Sequence, residues 1–314
     1  MKAAHAPETA PSFPCPGCEA TAWKSWRQVG AFPLFRCDRC GLVTWNFTDR
    51  DLLAIYRQGY FNSPVESQGY ADYLSMEEAI RMNAVRRLRR LAAFLPERLP
   101  RPGMPAATPP GAGPRLVELG CAHGFFLDEA RKCGYRVWGV EPAEDASEHA
   151  RARLGLDVAT GTLADHELEP GAADAIALWD VIEHVDRPGA LLDQCFQLLR
   201  PGGVLALSTG NVRSLASRLS GRSWHLYNLP EHLFFFSPPV LRHMLARSGF
   251  QRMTVRHPAS VYPLKYLEER LRRTAWPRWF WTRFRLPRRL HGLPVAVNLW
   301  DVSEVLAERP AAPR

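Results

Sequence analysis

Between residues 115 and 142 the spacing of apolar positions changes twice. Leu116, Val117 and Leu119 make a short apolar run broken only by Glu118, which reads as a buried strand. Phe125, Leu127, Ala130 and Cys133 then recur at helical spacing, and Tyr135 to Val140 is a second strand that ends on Glu141. The turn Gly120-Cys-Ala-His-Gly124 joins the first strand to the helix. Such a β-α-β unit lets a ligand approach the backbone at its first turn, and its second strand ends in a carboxylate that can accept ribose hydroxyls. The pattern goes on with a helix over 144–154, strands near 156–160 and 171–180, and a helix-turn-strand over 198–207. It predicts an α/β chain with a largely parallel sheet.

Upstream the pattern differs. Trp23, Trp26, Val29, Phe32 and Phe35 have the spacing of a short β-ribbon. Residues 49–95 turn helical: a short helix at Asp51–Tyr56, a break near Tyr60, and a helix pair from Tyr70 to Leu95 whose run Arg86–Leu91 reads as a solvated face. Residues 96–114, PERLPRPGMPAATPPGAGP, cannot bury apolar surface and predict a flexible linker. The expected organisation is a ribbon over 1–48, a helical lead-in over 49–95, the linker over 96–114 and an α/β domain over 115–314.

Composition changes this picture in two places. The net charge of +8 is carried almost wholly by arginine, since lysine occurs only as Lys2, Lys24, Lys132 and Lys265, and its placement matters more than its sum. Seven cysteines with no apolar leader argue for metal and not for disulfides. Four of them, Cys15, Cys18, Cys37 and Cys40, form two C-x-x-C knuckles that flank the ribbon, which suits a closed tetrahedral Zn²⁺ site of structural kind, with Lys24, Arg36 and Arg39 offsetting its charge. No run approaches the ~18 apolar residues of a membrane span, so a cytoplasmic chain is expected.

A dinucleotide fingerprint would place glycines at 122 and 125, where Ala122 and Phe125 stand, and this argues against NAD and FAD. The run E-L-G-C-A-H-G from Glu118 instead resembles motif I of class I S-adenosylmethionine-dependent methyltransferases. W-D-V-I-E-H-V-x-x-P from Trp179 resembles their motif IV, and Leu198 to Leu207 resembles the helix-turn-strand that comes next. The resemblance covers residues 115–257. It implies a Rossmann-like, seven-stranded and mostly parallel sheet whose last strand is antiparallel, with Phe250–Arg256 as the sixth strand and Leu293 running on to Val305 as the seventh. Insertions at 210–237 and 258–292 would then roof the acceptor pocket. It implies S-adenosylmethionine as cofactor, with Glu118, Gly120, Cys121, Ala122 and Gly124 shaping the methionine side, Glu141 on the ribose, Leu163 and Asp165 near the adenine, and Asp180 beside the methyl donor.

The acceptor base is expected among His232, His184 and His225, each of which also reads as a packing or helix-end histidine. Asp180, Glu183 and His184 resemble the cluster that binds a divalent cation in ubiquinone-pathway O-methyltransferases, against a plain capping role. Trp276, Trp279, Phe280, Trp281 and Phe284 lie among eight arginines from Arg270 to Arg289. That mixture suits peripheral contact with an anionic membrane, a roof over a phosphate-bearing acceptor, a packed lid, or stacking on nucleic acid, the least favoured of the four. The ribbon-plus-methyltransferase layout resembles enzymes of polysaccharide and deoxysugar modification. The expectation is methyl transfer to a small-molecule or lipid-linked acceptor, a sugar or glycoconjugate precursor. Its rivals are an RNA methyltransferase and a cofactor-binding scaffold without turnover, the latter resting on Ala122.

Overall fold

The computed structural model describes residues 9–48, 60–62, 73–95, 99–103, 112–272 and 287–311. The short helix expected at 51–56, most of the linker and the aromatic run from Trp276 to Phe284 lie outside the described residues.

In chain order the elements are β1 (Trp23–Val29), β2 (Phe32–Cys37), β3 (Val43–Trp45), α1 (Glu77–Phe94), β4 (Arg115–Leu119), α2 (Phe125–Lys132), β5 (Arg136–Glu141), α3 (Glu144–Leu154) and β6 (Val158–Thr160). There follow β7 (Ala173–Trp179), α4 (Pro188–Leu198), β8 (Leu199–Gly210), α5 (Leu215–Ser220), β9 (Phe234–Phe235), α6 (Pro238–Arg247) and β10 (Gln251–Arg256). The last are β11 (Ser260–Pro263), α7 (Leu264–Arg272), β12 (Pro294–Val297) and β13 (Val302–Glu308).

The main sheet has seven strands in the order β10-β13-β8-β7-β4-β5-β6, and β13 alone runs antiparallel to its neighbours. This is the Rossmann-like arrangement expected. The central strands bury both faces, so they read as nearly continuous apolar runs. Leu116, Ala175 and Ala206 face α1 and α2 through Leu88, Leu91, Phe126 and Leu127. Val117, Ile176 and Leu207 face α4 and α6 through Leu192, Leu241 and Met244.

Two expectations are corrected. The seventh strand is β13 alone, because Pro294–Val297 pairs instead with Ser260–Pro263 in a separate two-stranded sheet. The arginine run on α1 is not a plain solvated face. Arg90 makes a bidentate pair with the buried Glu304 of β13, and Arg87 lies 4.3 Å over the Trp179 ring.

The cysteine ribbon, β1 to β3, is continuous with the body. β3 pairs antiparallel with β9, and Leu34, Leu42 and Trp45 share one core with the strands and with α4 and α6. A three-residue 3-10 turn, Leu74–Met76, leads into α1, so within the described residues the expected helix pair is one helix.

Candidate active site

The order of the sheet reverses between β4 and β7, and the carboxyl ends of the strands on either side of such a switch open a crevice. A cavity of about 1420 Å³ lies there. That exceeds the roughly 300–1,000 Å³ usual for one small ligand and leaves room for two.

One wall comes from the ends of β4, β5 and β6. Gly120 holds φ +68 after β4, and a Cβ there would stand 2.7 Å from Val181 Cγ2. Ala122 takes φ +47, the left-handed conformation a glycine would supply, so the turn forms without one. Glu118 is buried at 3% exposure with no hydrogen-bond partner for Oε2, and burial pushes its carboxyl well up while Arg87 pulls it back. The backbone amides of Ala122 and Ala143 donate to the two oxygens of Glu141 at 2.8 and 3.0 Å. Even so, burial pushes Glu141 up to about 7.

The opposite wall comes from the exit of β7 and the segment before β9. His184 and His232 meet edge to face with ring centroids 4.6 Å apart. His184 Nδ1 lies 3.1 Å from the Glu231 carbonyl, and the pairing requires that nitrogen to carry the proton, which makes Nε2 the basic atom. Burial pushes His184 down to about 4, so its ring is neutral near pH 7. Glu183 is buried beside them with Oε2 unpartnered, and burial, followed by the charge of Asp180, pushes it up to about 8. Donor atoms of Glu183, His184 and His232 lie within 4.8 Å of one another. Asp180, expected in that cluster, is not part of it: it accepts from Ser208 Oγ at 3.0 Å and from Arg87 at 3.4 Å.

Of the residues expected at the site, Glu118, Gly120, Cys121, Ala122, Glu141, Leu163, Asp180, His184 and His232 line this cavity. Three others do not. Gly124 caps α2 at φ +82, where a Cβ would strike Leu156 and Ala150, so its smallness serves helix packing. Asp165 caps its own 3-10 turn, accepting from the amide and hydroxyl of Thr162 at 2.7 Å. His225 turns toward Asp301, 3.5 Å away.

The pattern of the sequence missed Arg87, Tyr60, Tyr262 and Tyr266. Arg87 donates toward Asp180 and Ser208 and stacks on Trp179. Tyr60 Oη donates to Glu231 Oε2 at 3.3 Å, and Tyr262 stacks on Tyr266 at 5.2 Å. A helix-face count could have singled out Arg87, which flanks the buried stripe of Ala84, Leu88 and Leu91.

In the ribbon, Cys15 Sγ lies 3.5 Å from Cys40 Sγ, and Cys18 Sγ lies 3.5 Å from Cys37 Sγ. All four sulfurs lie within 4.8 Å of one another. For Zn–S bonds of about 2.3 Å a tetrahedron has an edge of about 3.8 Å, so the four fit a zinc ion.

Residues 80–255 match a family model described as a methyltransferase domain. The ubiquinone biosynthesis O-methyltransferase of Nitrobacter winogradskyi is 33% identical over 149 residues, covering 44% of this chain and 57% of its own length. That of Caulobacter vibrioides is 33% identical over 154 residues, covering 45% and 61%. The chain thus spans less than two thirds of the length of either relative. A solved structure of an S-adenosylmethionine-dependent methyltransferase from Archaeoglobus fulgidus superposes with a TM-score of 0.47 at 20% identity, covering 73% of this chain and 94% of that one.

Proposed function

Because this chain belongs to the methyltransferase-domain family, we propose that it transfers a methyl group from S-adenosylmethionine to a hydroxyl of a small-molecule or lipid-linked acceptor, a sugar or other glycoconjugate precursor. The observation that carries this reading is one cavity with two unlike walls, buried carboxylates on one side and paired histidines on the other.

S-adenosylmethionine supplies a methyl group made electrophilic by its sulfonium. The unpartnered oxygen of Glu118 suits the ammonium of the methionine end, and Arg87 suits its carboxylate. Glu141, held by two amides, keeps lone pairs for the ribose hydroxyls. Leu163 and Thr162, which also line the cavity, suit the adenine. The chain's part in the chemistry is to hold the acceptor in line, exclude water and take one proton. With both ligands bound, these residues would hold an acceptor oxygen in line with the methyl carbon, whose transfer would leave the carbon–sulfur electron pair on sulfur. His232 takes the acceptor proton, with neutral His184 packed against its ring.

In this reading residues 1–48 are a structural zinc ribbon, whose four protein ligands leave no open position for chemistry. Residues 49–95 are a lead-in and 96–114 a linker, and the start of the family match at residue 80 supports counting α1 with the unit over 115–314. A lipid-linked acceptor and peripheral contact with the cytoplasmic face of a membrane are supported by two stretches that each lend residues to the cavity lining, Leu226 from one and His291 from the other. Residues 211–230 and 287–300 contain no acidic residue. They carry exposed Arg213, Arg218, Arg222 and Arg289 beside exposed Leu215, Leu219, Leu293, Leu299 and Trp300. No described helix is long and apolar enough to cross a membrane.

The test is calorimetry with S-adenosylmethionine and S-adenosylhomocysteine. Glu141→Ala should weaken both by roughly 1.5–3 kcal/mol, the worth of charge-assisted bonds to the ribose. Equal affinity of variant and wild type would remove the reading.

A further inference from the structure

The segment that carries His232 is held from outside the methyltransferase unit. Three consecutive carbonyls, those of Glu231, His232 and Leu233, each accept a side-chain hydrogen bond. His184 Nδ1 donates to the first at 3.1 Å. Trp45 Nε1 donates to the second at 2.9 Å, and Thr44 Oγ1 donates to the third at 2.7 Å. The last two donors belong to β3, the ribbon strand that pairs with β9 immediately after this segment. Thr44 and Trp45 are both fully buried, and Phe32 and Phe47 pack edge to face on the Trp45 ring at 5.2 and 5.8 Å. On the amide side, His232 N donates to Asn228 O at 2.7 Å and Leu233 N donates to Glu183 O at 2.8 Å.

We propose that Thr44 and Trp45 are positioning residues for His232: the cysteine ribbon forms the back of the acceptor wall and sets the angle at which the His232 ring meets His184. The inference rests on the reading of His232 as the acceptor base. Its physical ground is that a two-residue β9 pairing cannot fix a backbone by itself, whereas buried side-chain donors on successive carbonyls leave little freedom of rotation. Displacement of a catalytic group by about 1 Å costs on the order of 100-fold in rate, so control of this segment is control of the acceptor step. None of these bonds reaches the cofactor wall, where Glu118 and Glu141 are fixed by β4, β5 and their own turns. The ribbon therefore acts on one wall of the cavity alone.

The experiment uses the full chain labelled with ¹³C at histidine Cε1, with metal content measured alongside. The His232 signal is assigned from the spectrum of His232→Gln. Thr44→Val keeps the shape of the side chain and removes its donor, Thr44→Ser keeps the donor, and Trp45→Phe removes the indole N–H. At one fixed pH the His232 signal should move or broaden in Thr44→Val and Trp45→Phe and return to its wild-type position in Thr44→Ser. The affinity for S-adenosylhomocysteine should stay within about twofold of wild type throughout, because the cofactor wall is untouched. A wild-type His232 signal in Thr44→Val overturns the proposal. So does a shift accompanied by an equal loss of S-adenosylhomocysteine affinity, which would mark general disruption. Should Trp45→Phe not fold, Thr44→Val decides alone. Failure of the Glu141→Ala test would remove the methyltransferase reading while leaving the His232 signals as they are, so the two failures remain distinct.

Discussion

Glu118 is the residue at which burial and ligand charge compete most directly. In the ligand-free protein burial holds its carboxyl well above the ordinary carboxylate range, and a cationic ammonium beside it would pull that value down. Binding then expels a proton. The sign follows from linkage: the free state holds more protons than the bound state at pH values between the two, so affinity rises with pH until the free carboxyl is itself ionised. S-adenosylmethionine calorimetry in two buffers of different ionisation enthalpy should show proton release, and Glu118→Gln should abolish it. Identical apparent enthalpies for wild type in both buffers would count against Glu118 as the ammonium's partner. Its place at the cavity was legible in the sequence because spacing from Gly120 sets it at the end of β4, two residues before the turn. Arg87 was passed over because four arginines in six residues read as one solvated face unless each is counted against the apolar stripe of Ala84, Leu88 and Leu91. Asp165 and His225 lie off the cavity lining for a local reason. Their neighbourhood was right, but local partners, Thr162 and Asp301, claimed the side chains.

At the scale of elements, the join between α1 and the sheet is testable. Arg90 is largely buried against Glu304, whose side chain is 2% exposed on β13. Arg90→Met should destabilise the protein by about 3–5 kcal/mol, because it strands a buried charge, whereas Arg90→Met with Glu304→Met should recover most of that loss. Urea unfolding of the two variants and wild type checks it; a double variant no better than the single one would mean that the pair contributes more than mutual neutralisation. The fold's elements were mostly readable from periodicity, since β4, β5, β7 and β8 are apolar runs bounded by turns. The seventh strand was not fully readable. Pro294–Val297 and Val302–Glu308 both have strand composition, and only pairing, with β11 in one case and β8 in the other, separates them. The two-residue β9 is too short for any pattern to announce, yet it is the element that joins ribbon to body.

For the whole molecule, the acid-free stretches 211–230 and 287–300 make a forecast about surfaces. The protein should bind vesicles containing phosphatidylglycerol and release them as salt rises, each arginine near the surface contributing roughly 1 kcal/mol. Leu219→Ser with Trp300→Ser should weaken binding further without changing S-adenosylhomocysteine affinity, since both side chains are exposed and neither lines the cavity. Sedimentation with vesicles reads both effects, and equal binding to neutral and anionic vesicles would assign these stretches to another partner. The pairing of β3 with β9 has one more consequence, which concerns synthesis. Thr44 precedes Leu233 by 189 residues, so at roughly 5–20 residues per second the third ribbon strand leaves the ribosome about 10–40 s before its partner exists. For that interval Val43 and Thr44 lie on an unpaired strand edge, a template for pairing with any neighbouring nascent chain. A message truncated anywhere between the ribbon and residue 234 would make that exposure permanent, and its product should aggregate even though its cysteine knuckles are intact.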